Sequence, residues 1–107
     1  MKLANLHKKL SATTRPVLAM GVMFAIIDLH DKDMPAERLS VAQLIDKDKS
    51  ADPSFLSNIS KVCSQLQNMG VIKIQYRDKN GKLHDKMMRA GKVVYTASNT
   101  VIKAFGR

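Results

Sequence analysis

Ser40-Val-Ala-Gln-Leu-Ile-Asp-Lys-Asp-Lys-Ser-Ala-Asp-Pro-Ser-Phe-Leu-Ser-Asn-Ile-Ser-Lys-Val-Cys-Ser-Gln-Leu-Gln-Asn-Met-Gly-Val-Ile72, running on into Lys73-Ile-Gln-Tyr-Arg-Asp-Lys-Asn-Gly81, decides the fold of this chain. Asp52 is a good helix N-cap and Pro53 suits the first helical position. Phe55, Ile59, Val62, Cys63, Leu66 and Met69 then recur at helical spacing as one apolar stripe. Gly70 supplies the left-handed residue that closes such a helix. From Val71 to Arg77 the period changes to two: Ile72, Ile74 and Tyr76 fall on one face, Lys73, Gln75 and Arg77 on the other, the pattern of a half-buried strand. Asn80-Gly81 is a hairpin signal.

Upstream, Ser40 is expected to cap a short helix, with Gln43 completing a capping box. Val41, Leu44 and Ile45 would face the core, and Lys47 to Ala51 would form the turn into the 52–69 helix. Downstream, a polar return strand is expected over about Lys82 to Arg89, an edge broken at Ala90-Gly91. Val93 to Tyr95 reads as a third short extended piece. Thr96 or Ser98 would cap a closing helix whose apolar contacts come from Val101, Ile102 and Phe105.

The apolar run from Pro16 to Leu29 follows a basic start, so a signal peptide is a rival reading. It is too short to span a bilayer, and it passes into Asp28-Leu-His-Asp31 without a small-x-small cleavage site. A buried helix is expected instead, with Thr14 as its N-cap. Met20, Met23, Phe24 and Ile27 fall on one side, Val22 and Ile26 on another, so the helix needs cover on more than one face. Before it, Leu3, Leu6 and Leu10 make an amphipathic segment. The expected homodimer interface is therefore Leu3, Leu6, Leu10, Met20, Met23, Phe24 and Ile27.

A chain of 107 residues is one domain: residues 1–15 as a basic extension, 16–105 as the core. The single cysteine excludes an internal disulfide and a multi-cysteine zinc site, and the cytoplasm is the default compartment. Cys63 lies within the apolar stripe and reads as a small core residue. The formal charge of +9 is unevenly placed. Residues 1–27 hold Lys2, Lys8, Lys9 and Arg15 and no acid; residues 71–107 hold nine basic and two acidic residues; the middle holds five and seven. A field concentrated at the two ends of the chain suits a polyanion.

The outward face of the 52–69 helix presents Ser54, Ser57, Asn58, Lys61, Ser64, Gln65 and Asn68, all polar and none acidic. A merely solvated face usually mixes Glu with Lys, whereas hydroxyls and amides can bond base edges. Around the hairpin tip stand Arg77, Lys79, Asn80 and Lys82, with Lys86 and Arg89 beyond, side chains suited to phosphates. The expected DNA-binding set is Ser54, Ser57, Asn58, Lys61, Ser64 and Gln65 on the helix, and Arg77, Lys79, Asn80, Lys82 and Lys86 on the hairpin.

With Ser40-Val-Ala-Gln-Leu-Ile45 as first helix, the 53–69 stretch as second, and the exit Leu66-Gln-Asn-Met-Gly-Val-Ile72, the chain resembles the winged helix-turn-helix superfamily. It is similar to small prokaryotic regulators of the MarR and Rrf2 type and to plasmid and phage partition proteins. The resemblance implies an α+β fold: a three-helix core, a C-terminal β-hairpin wing, and flanking N- and C-terminal helices. It implies a dimeric transcriptional regulator, a repressor, that places helix 52–69 in the major groove and the 77–82 wing on the backbone. A partition (centromere-binding) adaptor and a winged-helix module that binds a protein without specific DNA binding are the alternatives; binding of duplex RNA is a further option that rests on charge alone. With Cys63 alone, no iron–sulfur sensing is implied.

No enzyme is expected. His7, His30 and His84 sit in three separate elements, and alternation along a strand turns His84 and Asp85 to opposite faces. No phosphate-cradling glycine loop and no metal-ligand spacing occurs, so no cofactor, no metal and no membrane partner are expected.

Overall fold

In a computed structural model, which describes residues 2–87 and 91–106, Leu6 and Leu10 anchor a first helix, α1 (Leu3–Ser11), onto the body of the chain. Lys8 and Lys9 occupy its last turn, where cations oppose the helix dipole favourably. Lys9 also donates from Nζ to the Met69 carbonyl at 3.1 Å. The next helix, α2 (Pro16–Asp31), is the central element, with Ala19, Val22, Met23, Ala25, Ile26, Ile27 and Leu29 all buried. It packs against α1, against α3 (Arg38–Ile45) and α4 (Pro53–Asn68), and against the sheet. Truncating a side chain such as Met23 there would cost about 2–5 kcal/mol.

This packing corrects the expected subunit interface. Met23 and Ile27, with Leu6 and Leu10 of α1, are spent in the chain's own core. Leu3 and Phe24 are exposed and Met20 is half-buried. α1, α3, α4 and the sheet cover α2 on more than one face; beyond α5 (Asn99–Ala104), Phe105 meets Phe24 edge-on at 5.7 Å but leaves it largely exposed.

Two expected caps are also corrected. Arg15, not Thr14, occupies the N-cap of α2, and no side chain bonds there. Glu37 is the N-cap of α3, again without a side-chain bond, so Ser40 lies inside the helix and forms no capping box. The start of α3 is moved back by Ala36, which pairs with Tyr95 in an isolated antiparallel bridge. The helix begins as soon as that bridge ends. Ala42 takes the buried place expected of Leu44, which is exposed.

The turn between α3 and α4 is a 3₁₀ segment, Lys47–Lys49, held by Asp46, whose Oδ1 accepts the N–H groups of Asp48 and Lys49. The expected start of α4 holds: Asp52 Oδ1 accepts from the Ser54 amide at 2.9 Å, with Pro53 first in the helix. Such a cap contributes about 1 kcal/mol. At the far end Gly70 has φ +76°, its amide bonds Gln67 O, and the Val71 amide reaches Leu66 O. These two bonds are a Schellman closure.

The sheet has three antiparallel strands in the order β2-β1-β3, with β1 Ile72–Arg77, β2 Leu83–His84 and β3 Lys92–Ala97. The expected return strand shrinks to two residues, and the third extended piece becomes the principal partner of β1, in register from Ile72↔Ala97 to Arg77↔Lys92. Arg89 and Ala90 lie outside the described residues. Because β2 stops short, the Ile74 amide has no strand beside it; Gln67 Oε1 of α4 accepts it at 2.7 Å. Ser98 caps α5. This α+β arrangement is compatible with the winged helix expected from the sequence. No helix among the described residues is long and apolar enough to cross a membrane.

Candidate nucleic-acid interface

The stripe that buries Ile59, Val62, Cys63 and Leu66 turns the opposite face of α4 to solvent. Ser54, Ser57, Lys61, Ser64 and Asn68 are all exposed on that face. No acidic residue occurs in α4. Lys61 enters no ion pair among the described residues.

One expected member of the set is differently employed. Gln65 turns toward the segment between α1 and α2: its Oε1 accepts the Thr14 amide at 3.3 Å and its Nε2 donates to Thr14 Oγ1 at 2.7 Å. Its amide is thus committed to holding the N-terminal helix pair. Asn58 is half-buried on the same flank.

At the hairpin tip, Asp78 organises the turn. Its Oδ1 accepts the amides of Asn80 and Lys82, each at 2.9 Å, and its Oδ2 meets His84 Nε2 at 2.8 Å. Gly81 takes φ +84°, which a side chain would disfavour. The His84 contact first, then the Lys82 and Asn80 amides, hold the Asp78 carboxyl below the usual carboxylate range. Lys79, Asn80 and Lys82 belong to this turn and are exposed, as is Lys86 beyond β2. Arg77 does not join them. Its guanidinium pairs with Glu37 at 2.8 Å, the two side chains 31% and 30% exposed, and so links β1 to the start of α3. Asp85 turns away from His84 and meets Lys73 and Gln75, while His84 meets Asp78.

Two basic residues outside the expected set join α4 to the hairpin. Arg38 donates from Nη1 to Ser60 Oγ at 3.1 Å. It shares one groove with Leu56 and Ser60 of α4 and with Lys92 and Val93 of β3. Lys92 also lines the neighbouring concavity formed by Arg77, Asp78, Lys79 and Gly81. Arg38 and Lys92 thus mark a continuous path from the N-terminal half of α4 to the hairpin tip. Nothing in the local sequence around Arg38 singles it out; the Ala36–Tyr95 bridge puts it there.

Beneath that groove Tyr95 is buried, with Ser60 and Cys63 beside its hydroxyl. Burial, and then Cys63, raise the Tyr95 hydroxyl above its ordinary value against the opposing effects of Ser60 and Arg38. Burial likewise pushes the Cys63 thiol up to about 12, against a smaller downward pull from Tyr95. Both groups are therefore neutral packing elements at ordinary pH. Among the described residues no cluster of His, Cys, Asp or Glu could hold a metal ion. Comparison of the chain with protein families, with curated proteins and with solved structures gives no match.

Proposed function

We propose that this protein is a winged helix-turn-helix transcriptional regulator that binds double-stranded DNA sequence-specifically as a dimer. The observation that carries the reading is the exposed, acid-free face of α4, joined by Arg38 and Lys92 to a lysine-bearing hairpin. In this reading α4 enters the major groove, a docking the groove's width allows. Ser57, Lys61 and Ser64 reach base edges. Arg38, Lys92, Lys79 and Lys82 lie along the phosphates and set position without reading sequence. Two acids line that path, Glu37, which pairs with Arg77, and Asp78, which meets His84 and the Asn80 and Lys82 amides. Occupancy of an operator is the mechanism of repression, and two copies would read half-sites about one helical turn apart.

The dimer is supported by what the chain's own core does not cover. Phe24 is 61% exposed and lines one cleft with Leu44, which is 47% exposed. Sedimentation across a concentration range tests it, and a monomer at every concentration would remove it.

Fluorescence anisotropy against random duplex and against DNA upstream of the protein's own gene, across a salt series, tests the function. The expected result is salt-dependent binding that prefers one sequence. The Ser57→Ala, Lys61→Ala double variant should then lose that preference by tenfold or more, on the order of 1–3 kcal/mol, while still folding. Binding without preference in the wild type would sink the specific reading.

A further inference from the structure

The flank of α4 opposite Arg38 and Lys92 carries a second basic cleft that the sequence does not reveal. Exposed Arg15 and Lys49 line it together with half-buried Asn58 of α4, and Leu18, Ile45 and Phe55 contribute its apolar lining. Its polar residues come from three elements, the link between α1 and α2 for Arg15, the 3₁₀ turn for Lys49 and α4 for Asn58, while Leu18 belongs to α2 and Ile45 to α3.

Each is fixed in place. The two Gln65–Thr14 hydrogen bonds tie the link to α4 immediately before Arg15, and the Arg15 carbonyl accepts the Ala19 amide as α2 begins. Asp46 Oδ1 accepts the Lys49 amide and so anchors the turn. Asp46 also lines the cleft and is its one acid. Its carboxylate opposes an anion there, but its Oδ1 is already turned to the Asp48 and Lys49 amides.

We infer that this cleft is a second seat for the DNA backbone, with phosphate oxygens against Arg15 and Lys49 and the Asn58 amide, and deoxyribose carbons against Leu18, Ile45 and Phe55. The inference rests on the duplex-DNA reading above and adds to it a second strand contact. A helix with its side chains is about 10–12 Å across, and the major groove of B-DNA is about 12 Å wide. Basic groups on opposite flanks of one inserted helix therefore meet opposite walls of the groove. Arg38 and Lys92 take one strand; Arg15 and Lys49 take the other. The link between α1 and α2 thereby becomes a DNA-contacting element.

The test compares two charge-matched double variants on the preferred duplex: Arg15→Gln with Lys49→Gln, and, as control, Lys32→Gln with Lys103→Gln at the far ends of α2 and α5. Removing two phosphate contacts should lower the slope of log K against log salt by about 2. It should also abolish ethylation interference at one backbone segment, on the strand opposite the one that responds to Arg38→Gln. A slope change no larger than the control's, in a wild-type protein that binds, overturns the inference and leaves the DNA reading standing. Loss of interference on the same strand as Arg38→Gln overturns the groove-spanning placement. Failure of the wild type to bind any duplex overturns the function and the inference together.

Discussion

Gln65 holds Thr14 by both ends of its side-chain amide, Oε1 accepting the Thr14 N–H and Nε2 donating to Thr14 Oγ1. A residue on the exposed flank of α4 is thereby an internal tie between α4 and the N-terminal helices. Gln65→Ala should cost about 1 kcal/mol of stability, the scale of a partly exposed hydrogen-bond pair, read from the urea midpoint at unchanged m-value. On DNA it should weaken binding to all sequences alike. Loss of discrimination at one base pair would return Gln65 to the major groove.

Arg77 gives the contrasting case at the hairpin. Because its guanidinium is engaged by Glu37, Arg77→Met should lower stability by about 1 kcal/mol, within the range of half-exposed charged hydrogen bonds. The salt slope of DNA binding should stay unchanged. Lys79→Ala should behave the opposite way, lowering the slope by about 1 with stability intact. Salt titration of both variants decides the pair.

Cys63 predicts alkaline behaviour. Its ordinary value is 9.0 and burial lifts it to about 12, so between those values the unfolded chain gives up a proton that the folded chain retains. Its contribution to stability is whole below pH 9 and is lost as pH rises toward 12. At pH 8 the folded protein should resist a thiol-reactive dye and label only when urea unfolds it. Rapid labelling of native protein would show the thiol outside the core.

Asp78 predicts acid behaviour of the opposite sign. Its folded carboxyl lies below the ordinary 3.8, so its contribution is present above that value and disappears as pH falls through the lowered one. Amide exchange at Asn80 and Lys82, both bonded to Asp78 Oδ1, should accelerate selectively in that window. In Asp78→Asn the protection of these two amides should be lower at neutral pH and should no longer fall across the Asp78 titration.

The elements with strong local chemistry were legible in the sequence. Asp52-Pro53, the stripe from Phe55 to Met69, Gly70 and Asn80-Gly81 each carry a stereochemical preference that survives in the structure. The structure departs from the local signal where a distant partner overrides it. Ser40 and Gln43 make a plausible capping box, but the Ala36–Tyr95 bridge starts α3 earlier. The strand after Asn80-Gly81 was expected to be the long partner, yet β3 holds the full register, because its Val94, Tyr95 and Ala97 have apolar surface to bury and Leu83–His84 has little. In the candidate site, the polar face of α4 could be read from periodicity. The engagement of Gln65 by Thr14 and of Arg77 by Glu37 could not, since those partners lie 51 and 40 residues away.

The bridge between Ala36 and Tyr95, closed by a 2.8 Å bond from the Tyr95 amide to the Ala36 carbonyl, governs how the chain comes apart. It stitches the entry of the helical half to the last strand of the hairpin, and the Tyr95 ring sits in the same core as Cys63. The helices cannot separate from the sheet without breaking that stitch and exposing the ring. Helices and sheet should therefore open together, and the Tyr95 amide should exchange only at the rate of the whole molecule.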